Sequence, residues 1–163
     1  TRFARFLSIA YISFASMAFA LVLMTNSTTL ANPVGNPDLF YSADELAGYQ
    51  WIRENTSPDN LILTTFGVTG TGSGGRLVAM TGRRVFLGHW IETAQFGQKV
   101  EQIHQFYDEA TDDVWRTNFL TEIDTDYVWY DRYAQSVGSW SPEEADYLIA
   151  VFTTDTITVY QYR

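Results

Sequence analysis

The chain opens on an unbroken apolar run, FLSIAYISFASMAFALVLM, from Phe6 to Met24, with no charge, proline or glycine. Its 19 residues fall within the roughly 17–25 that cross a bilayer core as a helix. Arg2 and Arg5 precede it and no charge follows until Asp38. The basic flank is therefore expected in the cytoplasm and everything beyond the run outside it. Ser8, Ser13 and Ser16 add a stripe of small residues suited to packing on other membrane helices. A cleaved signal peptide is the alternative. TTLANP offers a cut after Ala31, but a signal peptide's apolar core is typically only ~7–15 residues. A buried core helix rarely avoids charge over such a length.

A polar stretch with two prolines and a glycine then runs from Thr25 to Tyr41. The organisation expected is a transmembrane helix with its basic flank over 1–28, a linker over 29–41 and an extracytoplasmic domain over 42–163. In that domain the hydrophobic period alternates between helix and strand. SADELAGYQWIREN begins with Ser42 and Glu45 at capping-box spacing and carries a buried face of Leu46, Tyr49 and Ile52. NLILTTF and RRVFLG read as strands. Phe96, Val100, Ile103 and Phe106 recur at helical spacing within 93–110, and a second helix is expected over 112–123, with Asp112 and Asp113 at its start. DYVWY is a third strand, and YLIAVF with TITVYQY forms a terminal hairpin. The fold class expected is α/β, in two or three layers, with a mixed sheet and a C-terminal β-hairpin.

Charge narrows the partners. All 19 acidic residues follow Pro37, against eight of the ten basic ones. Such a domain is ill suited to nucleic acid or an anionic membrane surface. Without cysteine there is no disulfide, thiolate metal site or covalently attached haem. No cofactor is expected.

GTGSGG, with Gly70, Gly72 and Gly75 at G-x-G-x-x-G spacing after a strand, raises the question of a dinucleotide. That site needs a sustained helix after the glycines, to concentrate N–H donors and dipole on the pyrophosphate. Gly82 interrupts RLVAMTGRR within seven residues, so one or two turns are expected there. The alternative is a loop whose glycines allow unusual backbone angles or close approach. Ser73 fits no nucleophile elbow, because Thr71 stands where the first glycine of G-x-S-x-G belongs.

The densest polar and aromatic cluster is Arg83, Arg84, His89, Trp90, Glu92 and Thr93. One interpretation is a small anion or sugar site: forked arginine donors for phosphate or carboxylate, an indole for a sugar face, and an imidazole as donor or acid/base. The other is a strand end whose arginines pair with local carboxylates and whose histidine caps a backbone group. His89, Glu92 and His104 are the only candidate metal trio and follow no zinc spacing, so no metal site is assigned. Asp108, Glu109, Asp112 and Asp113 read as a solvated turn between helices. Trp129, Tyr130, Tyr133 and Trp140 are candidate protein contacts.

YQWIRENTSPDN, TGRRVFLGHWIET, DTDYVWYDR and ITVYQYR, in this order after an apolar span, resemble the C-terminal extracytoplasmic region of bacterial polytopic membrane proteins of the GT-C glycosyltransferase type. The pieces cover most of 38–163. The insert TGSGG departs from the shorter stretch usual there. The resemblance implies an accessory tail, because the catalytic acid of that superfamily lies on an early loop with no counterpart in this chain. It also implies other transmembrane helices and a lipid-linked sugar as partners, with the bilayer itself contacted through 6–24. The second interpretation is a single-span accessory subunit of a larger membrane assembly, for example a photosynthetic or respiratory one.

Overall fold

A computed structural model describes residues 40–66 and 72–163, together with Ser16 and Met17. Apart from those two positions, the apolar run 6–24 lies outside the described residues. Among the described residues no helix is long and apolar enough to cross a membrane. Ser42–Arg163 form one compact unit.

Helix α1 (Ala43–Asn55) starts at the capping box its sequence announces. The Ser42 hydroxyl accepts from the Glu45 amide at 3.1 Å, and the Glu45 carboxylate accepts from the Ser42 amide at 2.8 Å. Its buried face is Gly48, Tyr49 and Ile52, whereas Leu46 is exposed. The glycine is what brings the helix close: a Cβ at Gly48 would meet the Trp129 ring at 2.6 Å. Tyr49 stacks on the same indole at 5.2 Å between centroids.

The remaining elements are β1 (Leu61–Leu63), α2 (Ser73–Thr81), β2 (Arg84–Val85), α3 (Phe96–Tyr107), α4 (Asp113–Glu122), β3 (Tyr127–Tyr130), α5 (Arg132–Val137), β4 (Leu148–Thr153) and β5 (Thr158–Tyr162). A 3₁₀ turn at Pro142–Glu144 precedes β4. The sheet order is β2-β1-β3-β5-β4. β1 is parallel to both β2 and β3, and β5 is antiparallel to both β3 and β4, so the sheet is mixed as expected.

Side chains alternate across the sheet and build two cores. Ile62, Trp129 and Val159 face one way, against Tyr49 and Ile52 of α1 and Leu77 of α2. Leu63, Val128 and Tyr160 face the other way, against Ile103 and Phe106 of α3 and Phe119 and Leu120 of α4. Of the two layerings open from sequence, the structure has three layers, with helices on both faces.

The glycine segment departs from expectation. α2 begins at Ser73, inside the glycine cluster, and runs nine residues before Gly82 ends it in the left-handed region at φ 68°. The helix is thus about half a turn longer than the one or two turns expected, and Gly82 ends it as expected, short of a sustained helix. Its glycines serve the protein's own packing. A Cβ at Gly74 would collide with the Leu87 carbonyl, and one at Gly72 with the Thr65 carbonyl. Gly70 lies outside the described residues.

Candidate functional site

Sheet pairing stops at β2, only two residues long. Beyond it the chain turns through residues 86–95 before α3 begins. A cleft of about 710 Å³ lies along this edge, with α2 contributing Gly75 and Val78, α3 contributing Lys99, and Ile123 following α4. Five of the six clustered residues singled out in the sequence line it: Arg83, Arg84, His89, Glu92 and Thr93.

Thr93 and His89 shape the turn. The Thr93 hydroxyl accepts from the Gly88 amide at 3.2 Å, and the Glu92 and Thr93 amides both donate to the His89 carbonyl. His89 Nδ1 accepts a long hydrogen bond from the Ile91 amide at 3.4 Å. The turn leaves Trp90 and Ile91 at its tip, 59% and 69% exposed. Trp90 is not among the residues lining the cleft; its ring centroid lies 6.0 Å from that of His89.

The two arginines have opposite fates. Arg83 is buried, and its guanidinium is occupied by protein acceptors. It donates to the Arg53 and Thr56 carbonyls at 2.8 and 3.0 Å, the Thr56 hydroxyl at 3.0 Å and the Thr81 carbonyl at 3.1 Å. It thus ties the C-terminal ends of α1 and α2 together, where a cation also suits the helix dipole. Both sequence interpretations of Arg83 are corrected: it offers no fork to a ligand and pairs with carbonyls, not carboxylates. Arg116 is likewise spent, on the Phe106 and Asp108 carbonyls at the C-terminal end of α3 and on the Asp113 carboxylate.

Arg84 is exposed and donates one hydrogen bond, to the Asp59 carbonyl at 3.2 Å. Lys99 was not among the residues singled out from sequence. Its ammonium donates to the Phe86 carbonyl at 3.0 Å and sits 4.7 Å over the Phe86 ring. Among the described residues neither cation has a carboxylate within ion-pair distance, and the ion pairs found are Arg76–Glu45 and Arg116–Asp113. The signal for Lys99 was its rarity, since it is the sole lysine in an acidic chain.

The aromatic candidates correct differently. Trp129, Tyr133 and Trp140 are buried in the core and present no contact surface; Tyr130 is half-buried. Trp129 and Tyr133 surround Asp131, a buried carboxyl that starts α5. It accepts from the Trp129 indole N–H at 2.8 Å and from the Tyr133 and Ala134 amides at 2.9 and 3.1 Å. Burial pushes its pKa up to about 6, these hydrogen bonds hold it lower than burial alone would, and Glu45 adds a smaller upward push. His89, Glu92 and His104 form no metal-holding group among the described residues.

A three-layer α/β domain with a mixed five-stranded sheet is the class these features define. No protein-family model matches the chain, and no curated protein matches it. Among solved structures it resembles the C-terminal globular domain of an oligosaccharyltransferase from Archaeoglobus fulgidus. The TM-score is 0.55 at 10% identity, covering 76% of this chain and 99% of that one. The likeness is one of fold.

Proposed function

We propose that this chain is the membrane-anchored, extracytoplasmic accessory domain of a GT-C-like glycosyltransferase. It positions an acceptor or a lipid-linked sugar and leaves the transfer chemistry to another part of the enzyme. The observation that carries this is the shared fold with the oligosaccharyltransferase domain across nearly that domain's whole length. The motif order TGRRVFLGHWIET, DTDYVWYDR, ITVYQYR and the apolar run 6–24 support the same assignment. The cleft beside β2 is the positioning site. Its mixed lining of cation, carboxylate, hydroxyl and apolar surface suits a polar ligand held without covalent chemistry. No comparable support exists for a subunit of a photosynthetic or respiratory assembly.

Intact mass and N-terminal sequencing of the native polypeptide, with its co-purifying partners identified, test this assignment. A polytopic chain of several hundred residues, in which this sequence forms the last part, is expected. A short chain held stoichiometrically in a stable complex of unrelated subunits would contradict it.

A further inference from the structure

We infer that the cleft beside β2 is an oxyanion site, which takes a phosphate or phosphate ester between Arg84 and Lys99. The inference deepens the proposed positioning role and rests on the cleft being its ligand site. Three observations carry it. The first is charge. Acidic residues outnumber basic ones 19 to ten in the chain, yet this cleft is lined by Arg83, Arg84 and Lys99 against one carboxylate, Glu92. The second is availability. Arg83 is consumed by carbonyls, but Arg84 and Lys99 each make one hydrogen bond to a backbone oxygen. Each therefore keeps donors, since a guanidinium carries five N–H groups and an ammonium three. Neither has a carboxylate partner among the described residues, although an acidic surface offers many.

The third is location. Lys99 lies in the first turn of α3, where a cation is unfavourable to the helix dipole, and that turn carries no acidic residue and no side-chain N-cap. Thr93, Ala94 and Lys99 bring the start of this helix to the cleft wall that Arg84 also lines, so the two cations share one cleft. Glu92 and the His89 ring add hydrogen-bonding groups for a ligand larger than the oxyanion, such as a sugar that bears it. A phosphate ester can arrive on a soluble sugar or on a lipid headgroup, and the cleft chemistry is the same for both.

The test uses the full chain in detergent micelles, with amide shifts of 84–99 followed by NMR. The probes are inorganic phosphate, glucose 1-phosphate and glucose. Adding phosphatidic acid, a phosphate monoester, to phosphate-free maltoside micelles adds the lipid arm. Phosphate and glucose 1-phosphate, the lipid, or both are expected to shift the 84–99 amides, and which arm responds identifies the source. Arg84→Gln should weaken that binding about tenfold, the equivalent of one charge-assisted hydrogen bond. Lys99→Gln should do the same. Arg163→Gln removes an equal charge at the C-terminus and should change binding less than twofold. Arg84 is exposed, so its variant remains informative if Lys99→Gln fails to fold. No shift with any phosphate probe overturns the inference, as does equal weakening by Arg163→Gln. Glucose binding as well as glucose 1-phosphate also overturns it, while leaving the positioning role standing.

Discussion

Replacing Asp131 by Asn separates the two things this carboxyl does. Its Oδ1 accepts from the Tyr133 and Ala134 amides, which an Asn oxygen can still do. Its Oδ2 accepts from the Trp129 indole N–H, and an Asn amide nitrogen placed there would set donor against donor. Leaving that buried N–H without an acceptor costs about 1–3 kcal/mol. Against this stands the cost of ionising the wild-type group in a buried site. Its pKa rises from 3.8 to about 6 on folding. A raised carboxyl pKa means that the native state holds its proton more tightly than the unfolded state. The stabilisation is therefore complete below pH 3.8 and is lost as the pH rises to about 6. Two units correspond to about 3 kcal/mol. Urea unfolding of both proteins at intervals from pH 3.5 to 8, followed by circular dichroism, reads the difference. The wild type should be the more stable near pH 4, and its advantage should shrink by about 2–3 kcal/mol by pH 7. Other carboxylates titrate in both proteins and cancel. A gap that stays constant with pH would refute the raised pKa; an Asn variant more stable at pH 4 would refute the role of the indole hydrogen bond.

Arg83→Gln should destabilise the domain by about 2–4 kcal/mol in urea, because it strips the acceptors at the ends of α1 and α2 of a buried charged donor. Its phosphate affinity, where it remains folded, should stay within about twofold of wild type, in contrast to Arg84→Gln. Gly74→Ala should largely abolish folding, judged by circular dichroism, since its methyl group would occupy the Leu87 carbonyl position. Gly75→Ala, one residue on, has open space at its Cβ and should stabilise by about 0.5–1 kcal/mol through helix propensity.

Most of the helices were legible because periodic apolar residues and capping signals coincide. The Ser42–Glu45 box and Asp112 at the start of α4 stand where their residue types place them. The β4–β5 hairpin was equally plain, as two β-branched and aromatic runs around a short turn. Strand lengths were not. RRVFLG has strand composition throughout, but only Arg84 and Val85 pair with β1, because Leu87 is drawn instead to the Thr64 hydroxyl and the face of Gly74. α5 went unseen: its six residues are too few for a period, and its cap, Asp131, follows directly on a strand. In the candidate site, composition located the segment but not the roles. Arg83 and Arg84 are adjacent and chemically identical in sequence. The chain's path turns one toward helix-end carbonyls and the other toward the cleft. Trp129, Tyr133 and Trp140 resembled contact residues because aromatic richness serves cores and interfaces alike.

In the proposed assignment the cleft positions a substrate for chemistry done elsewhere. If that assignment holds, steady-state glycosyl transfer by the native protein that contains this chain, compared with its Arg84→Gln variant, tests it most directly. KM for the positioned substrate is expected to rise about tenfold with kcat within about twofold, the signature of lost binding that is equal in ground and transition states. A fall in kcat of about a hundredfold with KM unchanged would place the cleft in the chemical step and contradict it.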